Sequence, residues 1–104
     1  MASAGPHTGE DGYWSYYEIC EKIASGGWES GVDPDMQAAY AYSTSANEWV
    51  GYENLESMNT RCNYINNENF AGMMVWDTSL DDMTGEYCNE GPYPLISHFK
   101  NCLN

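Results

Sequence analysis

Apolar positions recur along this chain with two different spacings, and the changes between them mark the elements. In YWSYYEICEKIA, apolar residues fall at Tyr13, Tyr16, Tyr17, Cys20, Ile23 and Ala24. That spacing predicts a helix from Tyr13 to Ala24 with one buried face, closed at its C-terminal end by Gly26 and Gly27. A loop through Gly31 and Pro34 follows. In AAYAYSTSANEWVGYEN, aromatic and β-branched residues flank a Ser/Asn turn, which predicts a hairpin with Tyr40 and Tyr42 near Trp49 and Tyr52.

Asn54 is placed to cap a second helix, in which Leu55, Met58, Cys62 and Ile65 form one stripe at i, i+3, i+7 and i+10. After the polar run NNEN, FAGMMVW is nearly continuous in apolar residues and reads as a strand buried on both faces, as in a parallel sheet. DTSLDDMTGEYCNEGPY then reads as a polar loop. Pro94 opens a last helix, with Leu95, Phe99, Cys102 and Leu103 on one face. From residue 54 onward, helix, buried strand, loop and helix make the repeating unit of an α/β fold. One strand cannot form a sheet, and these apolar faces are expected to need further elements to cover them.

Composition narrows the function. The 104 residues suit one modest core. Sixteen acidic residues against three basic ones give a formal charge of −13, a field that repels phosphate backbones and anionic lipid surfaces. Nucleic acid and membranes are therefore not expected partners. The acids are scattered, and fifteen aromatic residues supply packing material, so a folded acidic protein is expected. No apolar run has the length of a membrane span, and MASAGPHTGEDG lacks the parts of a signal peptide. Four cysteines without metal-ligand spacing favour disulfides over zinc, and hence an oxidising, extracellular setting. His7 and His98 lack ligand partners, and no cofactor or metal is expected.

AGMMVWDTSLDDMTGEYCNEGPYPLISHF resembles the final strand, loop and helix of animal chitinases and chitinase-like lectins of glycoside hydrolase family 18. GPHTGEDGYWSYYEIC is similar to the segment leading into that family's Tyr-Tyr-Glu-x-Cys helix, and AAYAYSTSANEWVGYEN to its Trp-Val-Gly-Tyr hairpin. The resemblance implies an α/β fold: a C-terminal portion of a (β/α)8 TIM barrel with part of an α+β insertion domain. Residues 1–53 would be the rear part of the insertion domain, and residues 54–104 the last barrel helix, final strand and C-terminal helix. It implies chitin or chitooligosaccharide as partner, with the remainder of a barrel needed to complete the cleft, and secretion directed by a signal peptide outside these residues.

The family's catalytic acid is the Glu of an Asp-x-x-Asp-x-Asp-x-Glu motif, with the substrate's own N-acetyl group as nucleophile. That spacing is absent here. The nearest group, Asp77, Asp81, Asp82 and Glu86, stands on the wrong loop, so this chain is not expected to turn over substrate alone. Trp76 at the strand end would stack against the C–H face of a sugar, although spacing alone favours an ordinary core tryptophan. Met74, two positions earlier on the same strand face, would line the same pocket or simply pack in the barrel. Glu10 and Tyr13 match wall positions that contact substrate, with a solvated loop as the alternative. Here the chain departs from the family by carrying His7 and Gly9 where a basic residue or tyrosine frequently stands.

Asp77, Thr78 and Ser79 before Leu80 are a second departure, and the Asp77 carboxylate is expected to face water, with acceptance of a sugar hydroxyl's hydrogen bond as the alternative. The acidic loop lacks the glycine that a calcium-binding loop needs at its sharp turn, where Asp82 stands. The resemblance pairs Cys20 with Cys88. Cys62 and Cys102 remain, as a second bridge or as two free thiols. The hairpin aromatics suit packing between insertion domain and barrel, with a carbohydrate platform as the alternative. A non-catalytic chitin-binding lectin of the same fold, or an acidic extracellular matrix protein derived from it, remain alternatives to the chitinase reading.

Overall fold

The computed structural model describes residues 2–104. Its elements run α1 (Tyr16–Ala24), β1 (Glu29–Asp33), β2 (Ala38–Ser43), β3 (Glu48–Tyr52), α2 (Leu55–Asn67), a short 3-10 turn (Thr78–Leu80) and α3 (Pro94–Cys102). Among the described residues, no helix is long and apolar enough to cross a membrane.

Helix α1 begins three residues later than the apolar spacing predicts. Ser15 holds an extended backbone, its hydroxyl accepts from the Glu18 N–H, and the Glu18 carboxylate accepts from the Ser15 N–H. This reciprocal capping box stops the helix from extending back to Tyr13. Its buried residues, Tyr16 and Ile19, face the sheet side of the molecule.

The sheet is antiparallel, in the order β1-β2-β3. The hairpin forms as expected from the sequence, with Asn47 taking the left-handed backbone (φ 54°) in its turn. Two details differ. The segment around Gly31 is a strand and not a loop, because β2 supplies a ladder that local propensity does not reveal. Tyr42 faces Trp49, but Tyr52 faces Ala39 and so lies on the other side of the sheet, near Tyr16. Ala39 and Ala41 are buried on that side.

Helices α2 and α3 form the second layer. The expected stripe contributes Met58 and Cys62, which pack with Phe99 of α3; Leu95, Cys102 and Leu103 close around them. Disulfides join Cys62 to Cys102 within this layer and Cys20 to Cys88 between α1 and the loop before α3. Sequence separations of 68 and 40 residues make each worth about 4 kcal/mol in the loop-entropy account.

The expected strand FAGMMVW is not one in this chain. Residues 71–75 have no regular secondary structure and no partner strand among the described residues, and Phe70, Met73, Met74, Val75 and Trp76 are exposed. A β-strand exists through hydrogen bonds to a neighbour, and among the described residues no segment forms a ladder with this one. The apolar run therefore lies over the helical layer with its backbone open.

Candidate functional site

This segment and the helical layer enclose a groove of about 270 Å³, floored by Met58, Leu95 and Phe99 and edged by Glu53, Met74, Trp76 and Asp77. Trp76 is 82 % exposed and Met74 76 %, so both present their side chains to solvent at the groove and not to the core. The Trp76–Asp77 peptide is cis. At one rim, the Glu53 carboxylate accepts from Arg61 at 2.8 Å and from the Ser57 hydroxyl at 2.6 Å.

Tyr13, 65 % exposed, lines a neighbouring groove with Trp14 and Val50; Leu80 and Leu95 line both grooves. Glu10 lines neither, and only its backbone carbonyl is engaged, accepting from the Tyr13 N–H at 3.2 Å. The structure thus brings Trp76 and Met74 together, sets Tyr13 on an adjoining surface, and leaves Glu10 in the N-terminal loop.

Asp77 does not simply face water. Its carboxylate accepts from the Ser79 N–H at 2.8 Å and from the Ser79 hydroxyl, capping the 3-10 turn that follows the groove. A short polar side chain preceding a turn is drawn to its unpaired N–H groups in preference to solvent.

The other carboxylates of this loop are structural. Asp81 accepts from the N–H groups of Leu95 and Ile96, capping α3, whose preceding residue Tyr93 offers no side-chain cap. Asp82 is fully buried and accepts from the N–H groups of Gly85, Tyr87 and Cys88 at 2.9–3.1 Å. Gly85 has a positive φ of 77°, and a β-carbon there would meet the Gly91 backbone at 2.3 Å. Both carboxylates are thus engaged by backbone N–H groups of the loop and of α3.

Glu18 also escaped the sequence reading. It is buried and accepts from the N–H groups of His7, Thr8 and Ser15 and from the Thr8 hydroxyl, fastening the N-terminal loop to α1. Burial pushes its carboxyl up, but these hydrogen bonds outweigh burial and hold it at about 2. The signal was present as Ser15-x-x-Glu18, a capping-box spacing. Tyr16 donates to Glu90 at 2.7 Å; burial first, then this carboxylate, raise its phenol above the ordinary range.

One trio of metal-ligand type occurs among the described residues: Cys20, Cys88 and Glu90. The two sulfurs are bonded to each other, leaving Glu90 as a single ligand, which does not hold an ion. What the site offers chemically is one flat indole face over an apolar groove.

Residues 2–81 match the family described as Glycosyl hydrolases family 18. The chain is 41 % identical to human Chitinase-3-like protein 2 over 101 residues, covering 97 % of this chain and 25 % of that protein. Human YKL-39, described as a pseudo-chitinase with retained chitooligosaccharide binding properties, superimposes with a TM-score of 0.89 at 40 % identity, over 97 % of this chain and 27 % of that one. The immunomodulatory active chitinase of Trichuris suis superimposes with a TM-score of 0.91 at 35 % identity, over 99 % of this chain and 28 % of its own. The chain therefore spans about a quarter of the length of the relatives it matches, and its α and β elements have the arrangement of the corresponding part of their TIM-barrel fold. On the extent of the family match and the agreement of the structures, the chain belongs to glycosyl hydrolase family 18.

Proposed function

We propose that this chain contributes a sugar-stacking surface to a chitin- or chitooligosaccharide-binding cleft, as the C-terminal part of a family 18 chitinase-type barrel. Residues 1–53 serve as the rear part of the insertion domain. Residues 54–104 serve as the last barrel helix, the final strand and the C-terminal helix. The apolar run 71–75 pairs with barrel strands outside these residues, and the protein works in an extracellular compartment. The observation that carries the reading is Trp76, 82 % exposed at the mouth of an apolar groove and ready to pack on a pyranose face. Met74 extends the same apolar surface, and Tyr13 and Glu10 contribute from the insertion-domain wall.

The catalytic acid comes from outside this chain. The similarity to YKL-39, a pseudo-chitinase that keeps its chitooligosaccharide binding, favours a second reading in which the whole is a lectin that does not cut.

A chimera tests the binding claim: these residues replace the corresponding quarter of YKL-39, and chitotetraose is titrated by calorimetry. Stacking that removes about 80 Å² of apolar surface from water is worth about 2 kcal/mol. Trp76→Ala is therefore expected to weaken binding by about thirtyfold. A chimera that binds equally well with Trp76→Ala would show that the indole is not the sugar floor.

A further inference from the structure

The three-stranded sheet has a second face, turned away from α1, that the cleft does not use. Register places Tyr42 opposite Trp49 and Glu29, and Tyr40 opposite both Gly31 and Gly51, all on this face. The side chains lie down across the glycines. A β-carbon at Gly31 would stand 2.8 Å from the Tyr40 hydroxyl, and one at Gly51 would meet the Trp49 ring at 3.8 Å. The Tyr40 and Tyr42 rings are inclined by only 22°, with centroids 6.3 Å apart. That separation is close to the i, i+2 repeat of a strand, about 6.7 Å, as expected of neighbours on one face of β2. Trp49 is 66 % exposed and Tyr40 40 %. At the edge, the Tyr42 hydroxyl donates to the Glu29 carboxylate at 2.7 Å, leaving acceptors free at the rim.

We propose that this row of Tyr40, Tyr42 and Trp49 is a second carbohydrate-binding platform, separate from the Trp76 groove, which takes an extended neutral polysaccharide laid along the sheet. Flat aromatic faces in a row match successive pyranose rings, whose C–H faces need apolar contact and whose edge hydroxyls need acceptors such as Glu29. The formal charge of −13 disfavours polyanions, nucleic acid among them, and leaves an uncharged polymer unopposed. The Tyr40 ring can lie close to the sheet because Gly31 is opposite it, since a β-carbon there would push against its hydroxyl and lift the ring. A surface of this kind would hold the chain on an insoluble polymer while the Trp76 groove engages a single strand.

The test is retention of the 104-residue chain on regenerated chitin beads, with sedimentation velocity and near-ultraviolet circular dichroism on every variant. Tyr40→Ala combined with Trp49→Ala is expected to lower retention at least fivefold, with dichroism outside those chromophores unchanged. Tyr40→Phe keeps the ring and is expected to retain like the parent. Trp76→Ala is expected to leave the platform's share in place, which separates the two surfaces. Parent-like retention of the double variant would overturn the proposal, as would failure of the parent chain to bind the beads. A change in oligomeric state with retention unaltered would overturn it too, by making the face a contact between copies.

Discussion

Glu18 anchors the N-terminal loop through one buried carboxylate, and its environment makes that anchor dependent on pH. Its carboxyl sits at about 2 in the fold against an ordinary 4.5. A lowered folded value means stabilisation that is fully present above about pH 4.5 and lost as the pH falls toward 2. Replacing the charged acceptor leaves several N–H donors without an equal partner, a cost of about 2 to 3 kcal/mol. Glu18→Gln is therefore expected to lower thermal stability at pH 7 and to flatten the acid limb between pH 5 and 2. Melting curves across that range check it; an equally steep acid limb in the variant would rule out the anchor. Gly5 belongs to the same arrangement, because a β-carbon there would stand 2.3 Å from the Glu18 carboxylate. None of this is visible in hydrophobic spacing. It was readable only in the Ser15-x-x-Glu18 cap pattern, which marks the helix start and gives no hint that the same carboxylate also gathers His7 and Thr8.

Among the elements, the loop between the groove and α3 depends on two adjacent acids with separate tasks. Asp81 caps α3, and Asp82 folds the 85–88 turn so that Cys88 reaches Cys20. Asp82→Ala would strand three buried or half-buried N–H groups, at about 1 kcal/mol or more each. The expected result is a loss of about 3 kcal/mol and a smaller fraction of correctly paired Cys20–Cys88 after oxidative refolding, read by peptide mapping. Asp81→Asn, which keeps an acceptor and loses the charge at the helix N-terminus, is expected to cost about 1 kcal/mol. The helices α2 and α3 were legible from stripe and cap because their determinants are local. β1 was not, because Gly31 and its neighbours become a strand only when β2 lies beside them.

For the whole molecule, the decisive segment is 71–75, apolar and without a hydrogen-bonded strand neighbour among the described residues. Its amides are expected to exchange with solvent at near-unfolded rates while those of α2 remain protected, as hydrogen-exchange mass spectrometry would show. Protection in 71–75 comparable to that of α2 would mean that another strand pairs with it in solution. Met73, Val75 and Leu80 line the groove and are exposed, the kind of apolar surface that proteins keep for contact with other elements. The groove beside Trp76 inherits this openness, since one of its walls is the unpaired segment itself.

The sequence by itself determined the helical stripes, the hairpin and the family resemblance, since each rests on local spacing or on residues in order. Only the tertiary structure decided where the carboxylates go. Asp77, Asp81, Asp82 and Glu18 look alike in a list of acids, yet each is claimed by backbone N–H groups whose positions depend on how the chain returns on itself. It also decided the face on which each aromatic stands, because a register shift of one residue exchanges the two sides of a sheet. For the same reason, FAGMMVW has the composition of a buried strand but lies unpaired here: pairing is a property of two segments, and this chain supplies one.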